Sequence, residues 1–595
     1  MKGKQLAGWV VSVSLFLSVG VARAAERIYA SYAVLERSIS VSALEHYAKT
    51  GELDEDLAVY ARYADEETLD RLREALTLRA EVDPIAISQF LYTPQGESLL
   101  RRLARVIRPP ITQSPRQENG REPPGYFGLR AALLLAATDK DGLTLLNVLR
   151  QYPTRDLQVD LQSALQIANE VRRIVNRSRR AIALVEQRAA DATADTEVPL
   201  DINWNSRSLW GETTSWTRSS ESFEYHDLQS PDDDDLRIVN FDVYLPDRGE
   251  SLPIAVISHG LGSDRGSFVY LAEYLAARGF AVAVPQHPGS DSEQLNAVVG
   301  GFAEEVAPPW EFVQRPLDVK EMLDRLEEMA QNEPEFRRLN VDRVGIIGQS
   351  FGGYTALAIA GATIDLDGAI TKCVADNQEN ASWNTSVLLQ CQVRNVLPKL
   401  VRQATAAVQL EWLANNANPI AVSLDKLDFT TIEDDRVKAA IAVNPISSIV
   451  FGSEGMSAID IPTLIVAGGA DTVAPALFEQ IRPFTWLEVT RKYLVLATPG
   501  THFSFLGEST QPPGENEGVI PIPPEVIGPS PAVAQYYLQR LSLAFLQTYV
   551  ANNLEYAVYL QPAAVAELSQ ESVPIAAIDA LSETELDEGL VRRTP

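Results

Sequence analysis

Reactive side chains are scarce in this chain of 595 residues, which has two cysteines, five histidines and four methionines. Two cysteines are too few for a disulfide scaffold or a thiolate zinc centre; they make at most one bridge, Cys373 to Cys391. Positive charge is also short. Fifty-one Lys and Arg face 80 Asp and Glu, and the net charge of −29 repels nucleic-acid phosphates, so nucleic acid is excluded as a partner. Long apolar runs are missing beyond the first two dozen residues, which leaves no further stretch able to span a membrane. Apolar material itself is ample. At 46% hydrophobic and 22% charged, the composition excludes a disordered or fibrous chain, and the length calls for more than one domain.

The N-terminus sets the expected compartment. Lys2 and Lys4 precede an apolar run over 6–22, and Ala22-Arg-Ala24 places small residues at both cleavage-site positions, the layout of a signal peptide over 1–24. The run is shorter than the roughly 20 residues of a spanning helix. Cleavage leaves 48 basic residues against 80 acidic, a net charge of −32, and no transmembrane span. The expected location is periplasmic or secreted, an oxidising setting in which a Cys373–Cys391 disulfide can form.

Residues 25–190 read as an all-α domain: segments 56–63, 67–78 and 129–137 are rich in Ala, Leu, Glu and Arg, and Val-rich runs are almost absent. Asp65 and Glu67 stand where a helix start wants an acceptor and early negative charge. Residues 191–203 read as a linker. From 204 to 560 the texture changes to short apolar runs at 237–245, 254–258, 281–285, 344–348, 439–443, 464–467 and 493–497, with helical stretches at 268–278, 316–329 and 351–359. In 237–245 the alternation places Ile238, Phe241 and Val243 inward. Strands alternating with helices predict a mainly parallel, doubly wound sheet, whose reactive groups gather at the carboxyl ends of the strands. Residues 364–437 form an insertion carrying both cysteines, Trp383, Trp412 and a helical stretch over 396–414. They are expected to cap the substrate pocket, opposite a Pro-rich lip at 512–531. Residues 561–595 read as a C-terminal tail.

The chemistry is expected at Gly348-Gln-Ser350-Phe-Gly352-Gly353, a G-x-S-x-G motif between an apolar strand and a helix. That turn exposes the serine, and its glycines let strand and helix approach closely. A serine hydroxyl needs a base. In this fold the order is Ser, then acid, then His, which selects His502 from the five histidines. Asp471, at the end of the 464–467 strand, is the expected acid. Asp460 lies before that strand, on the wrong side of the sheet, and Asn444 carries no charge to stabilise an imidazolium. Phe351, following the serine, and Leu261, in Ser258-His-Gly-Leu-Gly262, are the expected oxyanion donors. His259 is expected to brace that loop and His287 to be structural. Neither a metal nor a cofactor is implied.

Ser258-His-Gly-Leu-Gly262 together with Gly348-Gln-Ser-Phe-Gly-Gly353 resembles the platelet-activating-factor acetylhydrolase family over residues 204–560. The resemblance implies an α/β-hydrolase that cleaves short-acyl lipid esters without a metal, of the 1-alkyl-2-acetylglycerophosphocholine esterase kind. That family tends to place its acid where this chain has Asn444, whereas Asp471 matches the acid of dienelactone-hydrolase-like and polyester-hydrolase-like enzymes. The whole layout resembles secreted bacterial α/β-hydrolases with an N-terminal domain of unknown function. The expected protein is thus an exported carboxylic ester hydrolase acting on a small-molecule or lipid ester. A peptidase on the same triad and a non-catalytic binding protein of the same fold are the alternatives.

Overall fold

The computed structural model describes residues 25–591 except 33–34, 63–64, 81–83, 111–122, 196–203, 205–212, 228–234, 377–383, 396–431 and 508–526. The signal peptide, the helical stretch over 396–414, Trp383, Trp412 and most of the Pro-rich lip therefore lie outside the described residues. Two compact units emerge, one of residues 1–91 with 96–165, the other of 92–95 with 166–595.

The first unit is not all-α. Arg27–Tyr32 pairs antiparallel with Leu35–Ser40 and parallel with Asp156–Asp160, which in turn pairs with Ile107–Arg108. These strands escape a search for aliphatic runs because each contributes little to the core. Ile28 and Leu157 are buried there among residues of the helices Val41–Thr50, Tyr126–Thr138 and Leu145–Arg150. The helix starts follow local chemistry: Ser40, Asp54 and Asp65 accept from the N–H three residues on, capping Val41–Thr50, Glu55–Ala61 and Glu66–Thr77.

The second unit holds a nine-stranded sheet. Its strands are β1 (Trp216–His226), β2 (Leu236–Pro246), β3 (Leu252–Ser258), β4 (Ala281–Pro285), β5 (Leu339–Gln349), β6 (Val437–Val443), β7 (Thr463–Gly468), β8 (Lys492–Ala497) and β9 (Ile575–Ile578). The order is β9-β8-β7-β6-β5-β3-β4-β2-β1, parallel from β4 through β8, with antiparallel edges. Both faces are covered, so the inner strands are apolar throughout. Ile254, Val256, Ile346, Ala440 and Ile465 enter one core, while Ala255, Ile257, Ile347, Ile441 and Leu464 enter the other. The helices include α1 (Leu161–Asp195), α2 (Glu311–Asn332), α3 (Phe351–Ile359), α4 (Leu366–Asp376) and α5 (Thr385–Gln390).

Three expected boundaries move. Helix α1 extends into the anticipated linker as far as Asp195, and Ala181, Ile182, Val185 and Ala189 belong to the core of the second unit. The first unit thus ends near residue 165, not 190. Residues 561–591, the described part of the expected tail, are structured. Pro562–Leu568 is helical, β9 pairs with β8 and covers that edge of the sheet, and Glu583–Val591 buries Leu586 and Leu590. In β2 the register is inverted at its start. Ile238 is 56% exposed and Arg237 is buried, because the Arg237 guanidinium is neutralised inside by two carboxylates.

Candidate active site

Ser350 sits between β5 and α3 with φ 56° and ψ −115°, a strained conformation that tethers on both sides maintain. Its N–H donates to the Val443 carbonyl at the end of β6 (2.9 Å). Two glycines have no substitute at this turn. A Cβ on Gly348 would lie 1.9 Å from the Gly352 carbonyl oxygen, and one on Gly352 would lie 2.0 Å from that of Ser258. The same closeness brings the loop after β3 to the serine: a Cβ on Gly260 would stand 3.4 Å from Ser350 Cβ.

The three residues singled out by chain order meet at the carboxyl ends of β5, β7 and β8. His502 Nε2 is 2.9 Å from Ser350 Oγ, and His502 Nδ1 is 2.7 Å from Asp471 Oδ2. All three are buried, with Ser350 8% exposed. Asp471 Oδ1 accepts from the N–H groups of Val473 (2.8 Å) and Ala474 (2.7 Å), which fixes the carboxylate's rotation. An acceptor facing Nδ1 places the proton there and leaves Nε2 to take the serine proton. Phe351 opens α3, where the first helical N–H groups have no partner in the helix ladder, and Leu261 lies in the turn after β3.

Asn444, dismissed above as the acid, has a different place. At φ 45° it ends β6, accepts from Gly468 N–H through Oδ1 (2.7 Å) and donates Nδ2 to the carbonyls of Thr501 (3.1 Å) and His502 (3.2 Å). Gln349 Nε2 donates to the same His502 carbonyl (3.0 Å). Two amide side chains thus hold the histidine's backbone from neighbouring strand ends. An amide at the end of a strand adjoining the nucleophile was the only available signal.

Beneath the loop after β3 lies a buried polar network that sequence reasoning missed. Arg237 Nε and Nη2 donate to the two oxygens of Asp318 (2.8 and 2.9 Å), and Nη1 donates to Glu311 Oε1 (3.0 Å). His287 Nδ1 is 2.8 Å from Asp318 Oδ2 and its Nε2 is 2.9 Å from Ser258 Oγ. That second Ser–His–Asp run is fully buried, and burial pulls the His287 imidazole down to about 3, with Arg315 adding to the effect. Burial pushes the Glu311 carboxyl up to about 7 against the pull of Arg237. For Asp318 burial acts upward too, but Arg237 and the hydrogen bonds outweigh it and bring the group down to about 2. The structural role expected of His287 fits this setting.

Both cysteines are joined, with sulfurs 2.01 Å apart, linking α4 to the residue that follows α5. Glu479, fully buried, anchors α5: it accepts from Asn384 Nδ2 (3.0 Å), Ser386 Oγ (2.5 Å), Gln390 Nε2 (3.1 Å) and the N–H groups of Ser447 (2.9 Å) and Ser448 (3.0 Å). Thr385 Oγ1 lies within hydrogen-bond reach of the Thr472 and Val473 carbonyls (3.1 and 2.8 Å), directly after the acid. The described part of the insertion is therefore fastened to the loop that carries Asp471. Glu479→Ala strands several buried donors, so it is expected to lower unfolding stability by about 3 kcal/mol or more. Urea titration of wild type and variant checks this, and coincident midpoints contradict it.

Among the described residues no group of His, Cys, Asp and Glu is arranged to hold a metal, and no helix is long and apolar enough to cross a membrane. Residues 249–496 match the family described as serine aminopeptidase, S33, and residues 24–160 match one described as alpha/beta hydrolase of unknown function (DUF1400). No curated protein matches the chain. The first match spans β3 through nearly all of β8, and the second falls on the small first unit. Sheet, turn and matches together define an α/β-hydrolase fold. More particularly, the chain is a serine hydrolase.

Proposed function

We propose that this protein is an exported carboxylic ester hydrolase with Ser350 as nucleophile, His502 as general base and acid, and Asp471 as the group that orients the imidazole. The observation that carries the reading is the continuous run from Ser350 Oγ through His502 to Asp471 at three strand ends. His502 takes the hydroxyl proton as Oγ attacks the ester carbonyl. The N–H groups of Leu261 and Phe351 receive the oxyanion, and the alcohol leaves with the proton from Nε2. Water repeats the sequence on the acyl-enzyme and releases the acid. Export is supported by the signal-peptide layout at 1–24 and by the bonded cysteines, since disulfides persist in oxidising compartments. The strongly acidic chain favours neutral ester substrates, including short-acyl lipids presented as monomers or neutral aggregates.

The serine aminopeptidase match favours a second reading, cleavage of a peptide bond by the same three residues. p-Nitrophenyl acyl esters of increasing chain length and aminoacyl p-nitroanilides, assayed side by side, separate the two. The ester reading expects kcat/KM at least about 10²-fold higher on the preferred ester after correction for intrinsic reactivity. The reverse ratio assigns a peptidase. No turnover of either class, with Ser350 unreactive, assigns a binding protein.

A further inference from the structure

Arg315, on α2, is fully buried, yet among the described residues it forms no ion pair with a carboxylate. The neighbouring acids are already engaged by Arg237, which binds both oxygens of Asp318 and reaches Glu311. Burial lowers the Arg315 guanidinium to about 10, and among the described residues its Nε finds no acceptor. A cation held this way is costly to the fold, and such groups call for a reason. Its three directed contacts supply one. Nη2 donates to the His259 carbonyl, Nη1 donates to Ser290 Oγ (3.1 Å), and the guanidinium carbon lies 4.7 Å from the centre of the Phe351 ring.

Those contacts fall on both sides of the nucleophile. The loop after β3 is fixed at successive peptide units. Arg315 holds the carbonyl of the unit joining His259 to Gly260. The next unit joins Gly260 to Leu261, and its carbonyl is held by His259 Nδ1 (2.8 Å). The tautomer follows from the other ring nitrogen: Nε2 accepts from the His287 N–H (3.1 Å), so the ring proton is on Nδ1. The third unit is fixed where Gly262 N–H donates to the Ser290 carbonyl (2.8 Å), and Ser290 also binds Arg315 through its hydroxyl. A trans peptide is planar with its C=O and N–H opposed, so holding the Gly260 carbonyl aims the Leu261 N–H.

We propose that Arg315 is a positioning residue of the oxyanion hole, a buried guanidinium that ties the His259 carbonyl, one peptide unit before the one bearing the Leu261 N–H, to the Phe351 side chain. This rests on the reading of Leu261 and Phe351 as the two donors. Arg315 itself touches no reacting atom. Its effect is confined to the alignment of donors whose bonds strengthen as charge develops, so it acts on kcat and leaves ground-state binding alone.

The test compares wild type with Arg315→Lys and Arg315→Met on one short-chain p-nitrophenyl ester. Removing a single oxyanion donor costs roughly 10²–10³ in kcat, and misaligning one costs less. Arg315→Met is expected to lower kcat by about 30-fold with KM within about threefold, and Arg315→Lys by about tenfold. Lysine keeps the charge but cannot span His259 and Ser290 or lie flat on Phe351. A purely structural arginine is distinguished by a trifluoromethyl ketone, which forms a tetrahedral oxyanion adduct: its inhibition constant is expected to weaken by the same factor as kcat/KM. Inhibition by the free acid product stays unchanged. Should Arg315→Met fail to fold, Arg315→Lys alone decides. Wild-type kcat in a folded Arg315→Lys, or ketone affinity that does not track kcat/KM, overturns the proposal. Ser350→Ala run in parallel keeps the two readings apart, since full activity in that variant removes the assignment of the site itself.

Discussion

Replacing Ser350 by alanine is expected to lower ester hydrolysis by on the order of 10⁵-fold and to abolish labelling by a fluorophosphonate probe. The hydroxyl is the only atom lost, and its described partner is His502 Nε2. The fold should survive, because the backbone restraint at this position is the Ser350 N–H bond to Val443, which alanine keeps. The strain at φ 56° is common to both side chains. Activity and labelling should therefore disappear while the thermal transition stays within a degree or two. A labelled alanine variant would place the nucleophile elsewhere. Because the second Ser–His–Asp run, from Ser258 through His287 to Asp318, is sealed from solvent, it is not expected to supply residual labelling.

The second large effect is expected from Asp471→Asn, a change of one atom. Two backbone N–H groups, from Val473 and Ala474, both point at Oδ1, so an asparagine must keep its oxygen there. Its NH₂ then faces His502 Nδ1, which is forced to accept. The ring proton moves to Nε2, the nitrogen that has to receive the serine proton, and the base is disabled without any displacement. Elsewhere this tautomer error costs about 10⁴-fold in kcat, and a loss of that order is expected here with KM little changed. Loss smaller than tenfold would mean that the carboxylate's charge and tautomer control are not needed. The change should also leave α5 in place, since Thr385 binds the carbonyls of Thr472 and Val473, not the acid itself.

These expectations were reachable from the sequence because the residues involved announce themselves locally. The glycines around Ser350 are dictated by the close packing of strand, helix and loop: a Cβ on Gly348 would lie 1.9 Å, and one on Gly352 2.0 Å, from a backbone oxygen. Chain order then ties the serine to one aspartate and one histidine. Inner strands such as Ala281–Pro285 and helix Phe351–Ile359 were legible to the residue, since a strand buried on both faces is an apolar run and a buried helix is an Ala-rich one. The edge strand Trp216–His226 was not. Half exposed, it is built mostly from Ser, Glu, Arg and Thr, and its pairing with Leu236–Pro246 makes it a strand.

Arg237 shows the limit most clearly. Periodicity places Ile238 on the inward face of its strand, whereas the burial of the arginine depends on Asp318 and Glu311, 81 and 74 residues away. Arg315 is invisible for the same reason: a lone arginine in an amphipathic helix is ordinarily solvated. Asn444 lacks the charge of an acid, and its use lies in hydrogen bonds from its amide to a loop 57 residues on. By itself the sequence determined the fold class, the strand-turn-helix around Ser350 and the order of the three site residues, because apolar period and steric exclusion act between near neighbours. Tertiary structure alone decided the sheet of the first unit, the ninth strand at 575–578, and the polar scaffolding behind the site. In each of those cases the stabilising partner lies far along the chain, and a polar side chain carries no local mark of the partner that will bury it.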